Sequence, residues 1–136
     1  PHAWLVEVGW LAALRAEQLR VRAADGPWLL RPILLRGEND ARTAIGYLNF
    51  HAGPDADGRV EVGYTLLPDA RGHGYAIEAV QAAIEWAIEV HAIRKFRAAV
   101  AADNERSRNL ILKLGFRQTG EQWDEVDGLE LVYELG

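Results

Sequence analysis

Three β-type runs follow one another between Trp28 and Leu67 with no helical pattern between them. Trp28–Arg36 is rich in Leu and Ile, Ala44–His51 follows the turn Gly37-Glu38-Asn39-Asp40, and Arg59–Leu67 follows the loop Gly53-Pro54-Asp55-Ala56-Asp57-Gly58. Parallel neighbours need a crossover of about a dozen residues or more, which turns this short cannot supply. The block therefore reads as an antiparallel meander, and a sheet built from repeated βαβ units is excluded for this half of the chain.

Helical periodicity flanks the meander. From Trp4 to about Ala23, apolar Trp4, Val8, Leu11 and Leu14 recur at three- and four-residue steps, with Arg15, Arg20 and Arg22 more polar, until Asp25-Gly26-Pro27 stops the pattern. Pro68 closes the third run, and a glycine loop leads into a helix whose apolar face is Ala76, Ile77, Val80, Ala83, Ile84, Ala87 and Ile88, with Glu78, Gln81, Glu85 and Glu89 opposite. Lys95–Ala101 is a short buried strand. Asp103 or Asn104 then caps a helix over Glu105–Leu114 that ends at Gly115. Arg117–Trp123 and Leu129–Leu135 form a last pair of strands joined through Asp127-Gly128. The expectation is a single α+β domain over residues 1–136 with a mixed sheet, in which Trp28 and Tyr133 are core or rim aromatics.

Composition narrows the function. No apolar run reaches the ~18 residues of a membrane span, and the amino end lacks a signal pattern. With no cysteine there is no disulfide or thiolate zinc site, which fits a cytoplasmic protein. A net charge of -5 weighs against nucleic-acid binding and towards a cationic partner. Asp55 and Asp57 lack the spacing and terminal glutamate of a calcium loop and read as a turn, so no metal is expected.

The segment Asp69–Val80, DARGHGYAIEAV, carries the chemistry. Free N–H groups at a helix start form an anion site, and Gly72 and Gly74 let phosphate oxygens reach them without meeting a Cβ. Arg71 adds a forked cationic donor, and His73 is a further possible donor. No Gly-Lys-Ser/Thr follows, which excludes a nucleoside-triphosphate P-loop. The dinucleotide fingerprint is excluded too, lacking its third glycine and parallel order. The glycines alone are equally compatible with a plain turn.

Arg71-Gly72-His73-Gly74-Tyr75-Ala76 resembles the Gln/Arg-x-x-Gly-x-Gly/Ala loop of the GNAT N-acetyltransferase superfamily, which grips the pyrophosphate of acetyl-CoA. EVGYTLLPDARGHGYAIEA is similar to the branch that includes ribosomal-protein N-terminal and some aminoglycoside acetyltransferases, and DNERSRNLILKLGFRQTG resembles that branch's second signature. The likeness runs from roughly Trp28 to Leu135. It implies a mixed, mostly antiparallel sheet flanked by helices, with the family's opening strand and helix, which help build its acceptor pocket, missing before the first helix seen here.

The resemblance further implies acetyl-CoA as co-substrate and direct attack of an amine on the thioester, with no metal, and it leaves room for a homodimer. Cofactor contacts fall on Arg71, Gly72, His73, Gly74, Tyr75 and Ala76, on Asn104 and Ser107, and on the backbone of Leu66 and Leu67 at the end of the third strand. The plain alternative for Asn104 is an N-cap. Many family members carry a tyrosine at Ile111 to protonate the thiolate; Ser107, one turn earlier, matches a serine proposed for that role. Glu61 matches an acidic residue of the family and is the first candidate general base, with His51 the second. The acceptor is an amine of a small molecule or a protein N-terminus, cationic by the charge argument. A non-catalytic acyl-CoA-binding regulatory module is the alternative.

Overall fold

The computed structural model describes residues 2–136, with side chains except those of residues 2–11 and 40. The helix α1, His2–Val21, leads through a 3-10 segment to the strands β1, Arg31–Arg36, β2, Arg42–Phe50, and β3, Arg59–Leu66. After a 3-10 turn at Pro68–Ala70 come α2, Tyr75–His91, β4, Lys95–Ala101, α3, Glu105–Lys113, β5, Arg117–Asp124, and β6, Gly128–Leu135. One six-stranded sheet has the order β1-β2-β3-β4-β6-β5. Its strands run antiparallel except β3 and β4, which the α2 crossover makes parallel. This is the mixed α+β architecture expected from the pattern.

Alternation along the strands sorts the two faces. Val60, Val62, Phe96, Ala98, Val100, Leu131 and Tyr133 join Val80, Ile84, Ala87 and Ile111 from α2 and α3 in one core cluster with Leu48, Phe50 and Trp28. Phe50, Val80, Ala87 and Ile111 are fully buried. Ile88, expected on the apolar face of α2, is 38% exposed. Leu14 on α1 is likewise exposed, while Trp4, Val8 and Leu11 lie outside the described side chains.

Trp28 does not begin a strand. Residues Ala23–Trp28 are wound as 3-10 helix, Leu29 N–H donates to the Gly26 carbonyl, and the Trp28 indole is buried edge-on against Phe50. Packing of the ring, not strand pairing, holds that residue. Tyr133 is core as expected, its hydroxyl accepting from Arg108 Nε at 3.3 Å.

Candidate active site

The loop before α2 has the geometry an anion needs. Gly72 and Gly74 hold φ of +82° and +81°, and a Cβ at either position would meet no protein atom within 4 Å. Helical bonding resumes where Glu78 N–H donates to Gly74 O, which leaves the N–H groups of Tyr75, Ala76 and Ile77 ahead of the ladder. Arg71 Nε donates to Leu66 O at 3.2 Å, anchoring the guanidinium at the loop mouth. A cleft of about 300 Å³ opens there, lined by Arg71, Gly72, Gly74, Tyr75 and Ala76 on one side and by Arg106 and Lys113 of α3 on the other. Three cations thus converge on a helix N-terminus, an arrangement that attracts a polyanion. His73 does not line this cleft; its ring stacks on Tyr75 with centroids 5.4 Å apart.

Beside the loop the sheet opens. β3 and β4 pair only at Arg59 with Lys95, Val60 with Phe96, and Glu61 with Arg97, and beyond Glu61 they diverge. Leu67 N–H donates to Ile45 O at 2.8 Å, so it is already spent on β2. The alternation of ladder directions turns Leu66, not Leu67, towards the opening. Of the two backbones expected to meet the cofactor, that of Leu67 is engaged across the sheet and that of Leu66 faces the opening.

A second cleft of about 400 Å³ continues from the first, lined by Tyr64, Thr65 and Leu66 of β3 and by Asn104, Ser107 and Leu110 of the α3 segment. Asn104 is the N-cap of α3, its Oδ1 accepting from Ser107 N–H at 3.2 Å, and it still faces the cleft. Tyr64 Oη donates to Ser107 Oγ at 3.1 Å. Burial raises the pKa of Tyr64, and the Ser107 contact offsets part of that rise, so the phenol stays protonated. Tyr64 escaped the sequence reading, although a phenol continuing the apolar series Val60, Val62 requires a polar partner. Ile111 is fully buried in the core and offers the cleft no polar atom.

Glu61 is not in either cleft. It lies on the opposite face of the sheet, where His51, just past the end of β2, lies beside it and Arg97 is its partner on β4. One carboxylate oxygen meets His51 Nδ1 and the other lies 3.1 Å from Arg97 Nε. Burial pushes the Glu61 pKa up, but the His51 hydrogen bond and the His51 and Arg97 charges together outweigh it, so the carboxyl titrates below its ordinary value. Asp55 Oδ1 accepts from Asp57 and Arg59 N–H, each at 2.9 Å, which makes it a turn cap. Among the described residues no group of His, Asp and Glu is arranged to hold a metal, and no helix is long and apolar enough to cross a membrane.

Known proteins resemble this chain in sequence and in fold. A YoaA protein of Bacillus subtilis, an uncharacterized N-acetyltransferase, is 32% identical over 81 residues, covering 60% of this chain and 46% of its own. The chain spans about half the length of the curated relatives it matches. A spermidine N-acetyltransferase SpeG chimera from Vibrio cholerae superposes with TM-score 0.68 at 16% identity, over 90% of this chain and 75% of that one. The microcin C7 self-immunity acetyltransferase MccE, solved with acetyl-CoA and AMP, does so with TM-score 0.62 at 23% identity, over 68% and 54%. At these identities the structural likeness is one of fold. The family model for the acetyltransferase (GNAT) domain matches residues 4–117, and with it the chain belongs to the GNAT acetyltransferase family.

Proposed function

We propose that this chain is a single acetyltransferase domain that moves an acetyl group from acetyl-CoA to a primary amine by direct attack. The observation that carries the reading is the open-sided Gly72–Gly74 loop, ringed by Arg71, Arg106 and Lys113, at the mouth of the β3–β4 opening. Those N–H groups and cations suit a pyrophosphate, and the adjoining cleft lined by Leu66 and Asn104 suits the uncharged arm that leads to a thioester. The Leu66 N–H, turned into the opening, on this reading donates to the thioester oxygen, where one such donor is worth about 3 kcal/mol of barrier. On this reading Ser107, backed by Tyr64, protonates the departing sulfur, and the Glu61 face of the sheet receives the amine. The net charge of -5 favours a cationic acceptor, in keeping with the polyamine substrate in the name of the SpeG neighbour.

Ile111 is the observation that favours the second reading, an acyl-CoA-binding module without turnover, because no tyrosine occupies the place that supplies the acid in many relatives. Calorimetry with acetyl-CoA and thiol release with a panel of primary amines separate the readings. Stoichiometric binding with turnover supports transfer, binding without turnover supports the module, and no binding removes both.

A further inference from the structure

We infer that His51 is the group that takes the proton from the attacking amine, with Glu61 and Arg97 as positioning residues behind it. The inference rests on the acetyl-transfer reading above. Antiparallel register sets His51 directly across from Glu61, and His51 N–H donates to Glu61 O at 3.0 Å. Glu61 engages His51 Nδ1 with one oxygen and lies 3.1 Å from Arg97 Nε with the other, so its charge is already paired before a substrate ammonium arrives. The far nitrogen of the ring points elsewhere. A Cβ at Gly63 would come within 3.0 Å of His51 Nε2, so the imidazole lies along β3 over Gly63, and the glycine makes room for it. Thr65, the next residue on that face and ~7 Å further along the strand, already lines the second cleft.

The rest of the ring's frame comes from α1, where Gln18 Nε2 at 3.1 Å and Arg15 Nη1 at 3.4 Å donate to the His51 carbonyl. The charged groups around the imidazole are therefore Glu61, Arg97 and Arg15, and the ring itself stays 47% exposed to an arriving amine. A base held by one nitrogen on a carboxylate and free at the other is the arrangement that activates nucleophiles in hydrolases. A carboxylate held below its usual range is in turn a poor base towards an ammonium. In balance, His51 Nε2 takes one proton from the ammonium and returns it to water. The amine nitrogen then bonds the acetyl carbon and the C–S bond breaks. The nitrogen's second proton passes to His51 Nε2, already freed of the first, and the sulfur leaves as a thiol with a proton from the Ser107 hydroxyl, which water then restores.

The test uses His51→Ala, His51→Gln and Glu61→Gln in the whole chain, with acetyl-CoA affinity read by calorimetry and thiol release read with spermidine and other primary amines across neutral pH. The expected result is that His51→Ala keeps its acetyl-CoA affinity, loses about 100-fold or more in turnover, and regains part of it when imidazole is added. Glu61→Gln is expected to lose less and to move the acidic limb of the pH profile, which a purely structural residue would not do. Turnover by His51→Ala within about twofold of the parent overturns the inference and leaves acetyl transfer standing. A parent that binds acetyl-CoA yet releases no thiol with any amine overturns the transfer reading and the inference with it.

Discussion

Replacing Gly74 by alanine isolates what the loop is for. The residue sits at φ +81° with nothing within 4 Å of a built Cβ, so the folded protein bears only the left-handed strain, about 1–2 kcal/mol. Gly58, in the hairpin between β2 and β3, has φ +75° and the same open surroundings, which makes Gly58→Ala a matched control of about 1–2 kcal/mol. Both variants should therefore melt a few degrees below the parent, by similar amounts. Acetyl-CoA affinity should separate them. On the proposed reading the new methyl at Gly74 stands where phosphate oxygens bind, and one lost hydrogen bond to a charged group is worth about 1.5–3 kcal/mol, or roughly 10- to 150-fold in Kd. Thermal melts without ligand and calorimetry with it read the two effects independently. If Gly74→Ala bound as tightly as Gly58→Ala, the loop would be a turn and the phosphate argument would fail.

Further predictions concern the sheet and the clefts. Gly46→Ala on β2 would drive a Cβ to 2.1 Å from Thr65 O and 2.9 Å from Leu66 Cα, an overlap with backbone that no rotamer relieves, so urea unfolding should show a loss of about 3 kcal/mol or more. Ser107→Ala keeps the backbone N–H that Asn104 caps but leaves the Tyr64 phenol without its acceptor, so stability should fall by about 1–3 kcal/mol while turnover falls about 10-fold or more; unchanged turnover would remove Ser107 from the acid role. Glu61, with its pKa lowered on folding, adds stability that is present above its unfolded value and is lost as pH falls through the lower folded value. The stability gap between the parent and Glu61→Gln should accordingly close on acidification below the ordinary carboxylate range, and a gap that widened there would contradict the ion-pair account.

Much was legible in the residues because it is encoded locally. Short turns between Trp28 and Leu67 dictated the meander, the glycines with Pro68 marked the entry to α2, and Asn104 announced the cap of α3, since each depends on neighbours a few positions away. Trp28 misled for the complementary reason: its indole is held by contacts with Phe50 and Trp86, and ring packing overrides strand propensity. The same limit applied to Leu67, whose N–H is consumed by Ile45 across the sheet, and to His73, which stacks on Tyr75 instead of lining the cleft. Glu61 was identifiable by motif, but its partners were not. His51 and Arg97 reach it only through the register of two different strand pairs, one antiparallel and one parallel. Tyr64 and Ser107 meet across 43 positions of sequence. Such contacts depend on how far β3 and β4 stay paired before they part, which is set by α2 and α3 packing on one face and by α1 bracing His51 on the other, and no local pattern carries that information.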